Sequence, residues 1–203
     1  MKGWAILPEH GVVDGVAYRI GLNAEPNCFY YFADKDIFAY IERGPVFAEV
    51  STPAGALVRE QSYKGTRWYV TNSLVVHKFH KPTFGLLKYM ISNGADPQAN
   101  GGALVSFLAQ RNKVPVLEYI FNLGFQFFNL SASFHLVLTS PQVERNTLEL
   151  LLKKLPIDDF ILDKAAYHFA EQERWDEYKL ILKYAPPGFS PSLRQGSRTP
   201  ALG

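Results

Sequence analysis

Over the first 82 residues, apolar positions come in short runs, β-branched or aromatic, broken by turn residues. Trp4–Leu7, Val16–Leu22, Cys28–Phe32, Val46–Val50, Ala56–Val58 and Trp68–Val76 read as strands. Asn23-Ala24-Glu25-Pro26-Asn27 and Tyr63-Lys64-Gly65-Thr66 read as turns. One helix is predicted at Ile37–Glu42, capped by Asp34 or Asp36 and ended by Arg43-Gly44-Pro45. The expectation for residues 1–82 is a small, mostly antiparallel α+β domain with one helix packed on it.

Beyond Pro82 the period becomes helical and the chain repeats itself. Leu87, Leu117, Leu148 and Tyr178 hold equivalent places in four segments about 30 residues apart, a spacing that marks stacked repeats. Each segment carries an i, i+3, i+4 apolar face: Leu87/Met90/Ile91, Leu117/Ile120/Phe121, Leu148/Leu151/Leu152 and Tyr178/Ile181/Leu182. Gly94 and Gly124 end the first two, and Leu155-Pro156 and Ala185-Pro186 end the others. Three further helices are predicted between them, at Ala103–Arg111, Ala132–Thr139 and Lys164–Glu173, with Gly101-Gly102 as the turn into the first. Ser140-Pro141 is expected to cap the third outer helix. Residues 83–185 thus form an array of four outer and three inner helices. The amino-terminal domain is expected to cap it, with Phe79, Phe84 and Leu86 at the junction. Residues 186–203, rich in Pro and Ser, are expected to form a flexible tail.

The segment Leu87–Asp96 (LKYMISNGAD) resembles the second helix and closing Gly-Ala-Asp of an ankyrin repeat, and Leu117–Gln126 (LEYIFNLGFQ) echoes it. The Thr-Pro-Leu-His signature is missing; Ala103-Leu104 and Phe134-His135 stand where it would be, and the period is shorter than 33 residues. Upstream, Ala17–Asn23, Phe29–Phe32, Asp36–Ile41, Val46–Val50 with Pro53, and Lys64–Val76 follow in an order similar to the amino-terminal module that precedes ankyrin repeats in proteins of giant amoebal DNA viruses of the mimivirus type. The resemblance covers roughly residues 13–185. It implies an interaction scaffold and supplies no catalytic residues.

Composition narrows the chemistry. A net charge of +2 is too balanced to announce a nucleic-acid binder, and nine basic against eight acidic side chains in residues 1–82 leave no basic stripe. A single cysteine, Cys28, excludes an internal disulfide framework and reads as a buried thiol. No apolar run approaches the roughly 18 residues that span a bilayer. The start, MKGWAILPEHG, does not read as a signal peptide, so an intracellular protein is expected, and the resemblance implies a host cell or a virus particle as its place. His77 and His80, read as strand residues, point to opposite faces with no carboxylate within six positions, which favours a solvated linker pair over a metal site. His135 and His168 fall among apolar residues and read as packed histidines, His135 near the ankyrin histidine that links neighbouring turns. Lys64, Arg67, Trp68 and Tyr69 form one aromatic-basic cluster; a hairpin with Trp68 in the core is the favoured account.

The expected function is a non-catalytic protein–protein interaction scaffold acting on a host or viral protein, without cofactor, metal, nucleic acid or membrane. The alternatives are a structural component of the virus particle and a transferase-like enzyme in the amino-terminal domain. A polar cleft around Tyr18, Tyr31 and Glu49 would favour the enzyme. The candidate partner-binding residues lie in the loops after the outer helices: Asp96, Gln98 and Asn100, then Gln126, Phe127, Phe128 and Asn129. The run Phe125–Phe128 either presents an aromatic anchor or plugs the seam between repeats.

Overall fold

The computed structural model describes residues 1–63, 65–125, 127, 130 and 134–192, apart from the side chains of 25–28. Seven strands, a 3₁₀ helix and seven α-helices follow one another among these residues, so the chain is α+β with its strands first. Contacts divide it into two compact units, Met1–Leu104 and Val105–Gly203.

The first unit is an antiparallel sheet. Strands β1 (Lys2–Leu7), β5 (Val46–Ser51), β7 (Thr66–His80) and β4 (Gly21–Tyr31) lie side by side in that order. Strand β6 (Val58–Tyr63) pairs with the start of β7, and β2 (Val12–Val13) with β3 (Val16–Ala17) forms a separate hairpin. Trp4 and Phe32 then exchange both main-chain hydrogen bonds (2.9 and 2.7 Å), joining β1 to the end of β4 and closing the sheet into a small barrel. Gly3 permits this closure: a Cβ there would stand 2.3 Å from the Phe32 carbonyl oxygen. One face of each barrel strand supplies the core: Ala5 and Leu7, Phe29 and Tyr31, Ala48 and Val50, Leu74 and Val76, joined by Tyr69 and by Tyr18 from beyond β3.

Three local expectations are corrected here. The turn expected at 23–27 is strand: β4 runs through it, with a pairing irregularity between Ala24 and Phe29. The Asn23 amide that signalled a turn is buried, accepting from Arg19 N and donating to the carbonyls of Arg19 and Gly21. The predicted helix is a 3₁₀ helix over Asp34–Arg43, kinked at Tyr40, and neither aspartate caps it. Asp34 instead accepts the Trp4 indole N–H (2.8 Å), and Asp36 is buried beside Arg67. The strand expected at Ala56–Val58 instead begins at Val58 and runs to Tyr63 as β6; all six of its residues are exposed, so no apolar alternation marks its extent.

The helices lie close to where the periodicity puts them: α1 (Phe84–Ser92), α2 (Ala99–Ala109), α3 (Val114–Asn122), α4 (Phe134–Thr139), α5 (Arg145–Lys154), α6 (Asp159–Glu171) and α7 (Trp175–Tyr184). Thr83 caps α1 and Asp158 caps α6 through their side chains. Gly94 and Gly124 take positive φ after α1 and α3, while Leu155 and Ala185, each before a proline, end α5 and α7 in extended conformation. Asn100, Gly101 and Gly102 are left-handed, so regular helix in α2 begins at Ala103.

The boundary between units falls inside α2, not at residue 82. Helix α1 and the turn after it belong to the first unit, where Asp96 N–H donates to Lys35 O (3.2 Å) and Asn100 Nδ2 to Ala39 O (3.0 Å). Phe79 and Phe84, expected in a buried junction, are both partly exposed, and these polar contacts tie the segment down.

In the second unit the helices form two layers. Outer helix α5 packs between α3 and α7, inner helix α4 packs on α6, and α6 pairs with α7. The turn from inner to outer helix recurs two repeat lengths apart: Asn112 and Glu173 are both left-handed, followed by Lys113 N–H on Leu108 O and Arg174 N–H on Phe169 O. Asn112 also links neighbouring turns. Its Nδ2 donates to Gln142 O (2.8 Å), and its Oδ1 accepts from Glu144 N (2.8 Å) and from the buried Thr147 hydroxyl (2.9 Å). Helix α5 therefore starts at Arg145, and Ser140-Pro141 opens a turn before it rather than capping it.

Two predictions follow from these cores. Burial pushes the hydroxyls of Tyr18 and Tyr31 up to about 12. Unfolded tyrosine ionises near pH ~10, so between these values the unfolded chain holds fewer protons. The stability these groups contribute is complete below pH ~10 and is lost as pH rises towards the folded value. Alkaline titration followed by circular dichroism and tyrosinate absorbance should show unfolding in this window, with a shallower pH dependence in Tyr18→Phe/Tyr31→Phe. Separately, Asn112→Gly keeps the backbone but loses the links and should cost about 1–3 kcal/mol in denaturant unfolding. Asn112→Ala should cost about 1 kcal/mol more because of its left-handed φ.

Candidate functional site

The loop residues predicted to meet a partner are largely committed to their own fold. Asp96 accepts from Gln98 N (2.9 Å) in an Asx turn, while its own N–H holds Lys35 O. Asn100 uses its amide on Ala39 O. Phe127 is 4% exposed, with its ring edge-on to Phe121 at 5.9 Å. Phe127 is thus a core side chain and not a surface anchor, because the seam it fills removes its apolar area from water. Gln126, Phe128 and Asn129 lie outside the described residues, as do Lys64, the Cys28 side chain and the tail from residue 193.

The histidines of β7 are not a solvated linker, because the strand continues through His80. Glu49 on β5 comes within 2.7 Å of His80 Nε2, and Ser51 Oγ within 2.7 Å of His77 Nε2. These partners are remote in sequence and adjacent only through the antiparallel pairing of β5 with β7. His77 and Glu49 line a cleft of about 350 Å³ with Lys2, Trp4, Asp34 and Tyr89. Tyr18 and Tyr31 belong to the opposite, barrel-core face of the sheet, so the cleft that would favour an enzyme around Tyr18, Tyr31 and Glu49 is not formed. In the aromatic-basic cluster, Tyr69 is the buried ring, stacked on Tyr31 at 5.1 Å. Trp68 is half-buried against Tyr40, correcting the expected assignment, and Arg67 Nε stands 3.7 Å from Asp36.

The more continuous feature lies on the inner layer of the helical unit. Helix α4 supplies His135 and Leu136, and α6 supplies Asp163, Lys164, Tyr167, His168 and Glu171, at intervals that put them on one helical face. Together with Ser192 they line an open groove of about 350 Å³. Sequence reasoning placed His135 and His168 singly among apolar neighbours; the packing of α4 on α6 brings both half-buried rings to one groove. Leu136 is 60% exposed there, an apolar side chain beside two carboxylates. Tyr167 donates its hydroxyl to Glu171, and the His168 ring meets Phe169 edge-on at 6.1 Å. An apolar contact flanked by acceptors and half-buried imidazoles suits protein recognition.

Among the described residues, no group of three or more His, Cys, Asp or Glu side chains is placed to hold a metal ion, and no helix is long and apolar enough to cross a membrane. Compared with known proteins, the chain matches no family model, no curated protein and no solved structure.

The burial of Phe127 makes a prediction that separates packing from binding. Phe127→Ala should lower stability by about 3–5 kcal/mol in denaturant unfolding, the cost of emptying an aromatic core position.

Proposed function

We propose that the helical unit is an ankyrin-like protein-interaction scaffold whose inner-helix surface binds another protein, host or viral, without catalysing a reaction. The observation that carries this reading is the two-layer stack. Outer helices α3, α5 and α7 pack in succession, inner helices α4 and α6 pack on each other, and α6 pairs with α7. Such stacking buries the apolar face of each helix pair and leaves an inner surface held in place by its neighbours. A preformed surface of this kind loses little conformational entropy on binding. The repeat period, the left-handed turns after α1 and α3 and the recurring turn at Asn112 and Glu173 support the ankyrin-like part of the proposal. The likeness to ankyrin proteins of giant amoebal viruses supports the choice of a host or viral protein as partner.

Leu136→Asp tests the surface without touching the core. Affinity capture from the native cell should retain a protein on the wild type and on the outer-layer control Lys153→Glu. Capture by Leu136→Asp should fall by more than about tenfold, as when a hot-spot side chain is lost. Equal capture by all three forms would overturn the reading.

A further inference from the structure

We infer that the groove between α4 and α6 is a binding site for an extended, positively charged peptide, and that the chain's own segment after α7 occupies part of it. The inference rests on the scaffold reading above and names the kind of partner its inner surface takes.

The observation is a main-chain contact. After α7 the chain reverses in a turn in which Phe189 N–H donates to Pro186 O (3.1 Å), with Gly188 at φ 89°. The following residues are neither helix nor strand, and the Ser192 amide N–H donates to Asp163 Oδ1 at 2.5 Å. A carboxylate on α6 has thus captured a backbone amide, a group that every residue except proline carries. Captures of this kind recognise the extended state of a peptide and not its side chains.

Charge and spacing define the rest of the ligand. Asp163 and Glu171 both line the groove, while the Lys164 ammonium lies over the Phe160 ring, 5.0 Å from its centre. Two carboxylates against one lysine give the groove a modest preference for cations over anions. Two helical turns separate Asp163 from Glu171, about 12 Å along the axis. An extended peptide covers that distance in about four residues. A peptide amide on Asp163 consequently places a basic side chain three or four positions away at the level of Glu171. Leu136 offers apolar contact beside this track. In the chain's own sequence from Pro186 to Gly203, Arg194 and Arg198 are the only charged side chains; they stand two and six positions after Ser192, so as a free peptide it meets the spacing with the amide of Ser190 or Arg194 on Asp163.

Because Ser192 already uses Asp163, a peptide arriving from outside competes with it, and its apparent affinity falls by the fraction of time the acceptor is free. Replacing Ser192 with proline removes the donor N–H and so releases Asp163.

The test is fluorescence anisotropy with a labelled synthetic peptide of residues 186–203 added to the full chain. Ser192→Pro should bind this peptide several-fold more tightly than the wild type. Adding Asp163→Ala should weaken that binding roughly tenfold, the loss expected for a hydrogen bond to a charged acceptor. Glu171→Gln provides a second reading on the same background and should weaken binding of this peptide but not of a version with both arginines replaced by glutamine. Circular dichroism verifies that each variant is folded. Failure of Ser192→Pro to bind, or equal binding with and without Asp163, overturns the inference. Partner capture by the Asp163→Ala chain distinguishes the two proposals: capture undiminished while Leu136→Asp loses it sinks the peptide groove and leaves the scaffold standing. Equal capture by Leu136→Asp and the wild type sinks the scaffold whatever the peptide does.

Discussion

Two main-chain hydrogen bonds between Trp4 and Phe32 decide the architecture of the first unit. They turn an open sheet with two edges into a closed one, which removes unpaired backbone groups and creates an interior. The interior is rich in tyrosine as well as aliphatic side chains, and it accommodates the phenols by supplying partners: Tyr18 donates to Tyr30 O and accepts from Tyr30 N. Closure also demands close approach of backbones. Gly3 leaves room for Phe32, and Gly44 leaves room for Leu7, where a Cβ would meet the carbonyl oxygen at 2.1 Å. Neither glycine lies in the left-handed region (Gly44, at φ 166°, is extended), so each is needed for space and not for conformational freedom.

The second unit is organised differently. Its order comes from local helix stops and from a side chain that ties successive turns. Asn112 serves both purposes, since its left-handed backbone turns α2 into α3 and its amide meets the main chain of the turn before α5. The link between successive turns is thus made by an asparagine in the turn itself. The inner layer is then free to present polar residues, and His135, Asp163, His168 and Glu171 converge on one groove.

Function and stability compete for the same residue types here, and burial decides between them. Phe127 looks like an anchor in the sequence because a run of phenylalanines is too apolar for a loop, yet its ring is inside. Leu136 lies among apolar neighbours in a helix, yet it is exposed. The difference is geometric: α4 is only six residues long, and its buried face is fixed by Phe134, Val137 and Leu138. Leu136 falls on the other side of that face.

The sequence by itself determined the succession of elements. Strand-like runs precede helical periodicity, the seven α-helices lie close to their predicted places, and their ends follow the glycines and prolines, because caps and breakers act over a few residues. It also carried the recurrence of apolar positions about 30 residues apart, and Leu87, Leu117, Leu148 and Tyr178 are all buried. Only the tertiary structure decided which strands meet, and hence that Glu49 reaches His80, that Ser51 reaches His77 and that Asp36 is buried beside Arg67. It alone brought His135 to His168 and seated Ser192 on Asp163. Those contacts join residues about 30 positions apart, and no local rule of spacing carries information over a distance bridged by packing.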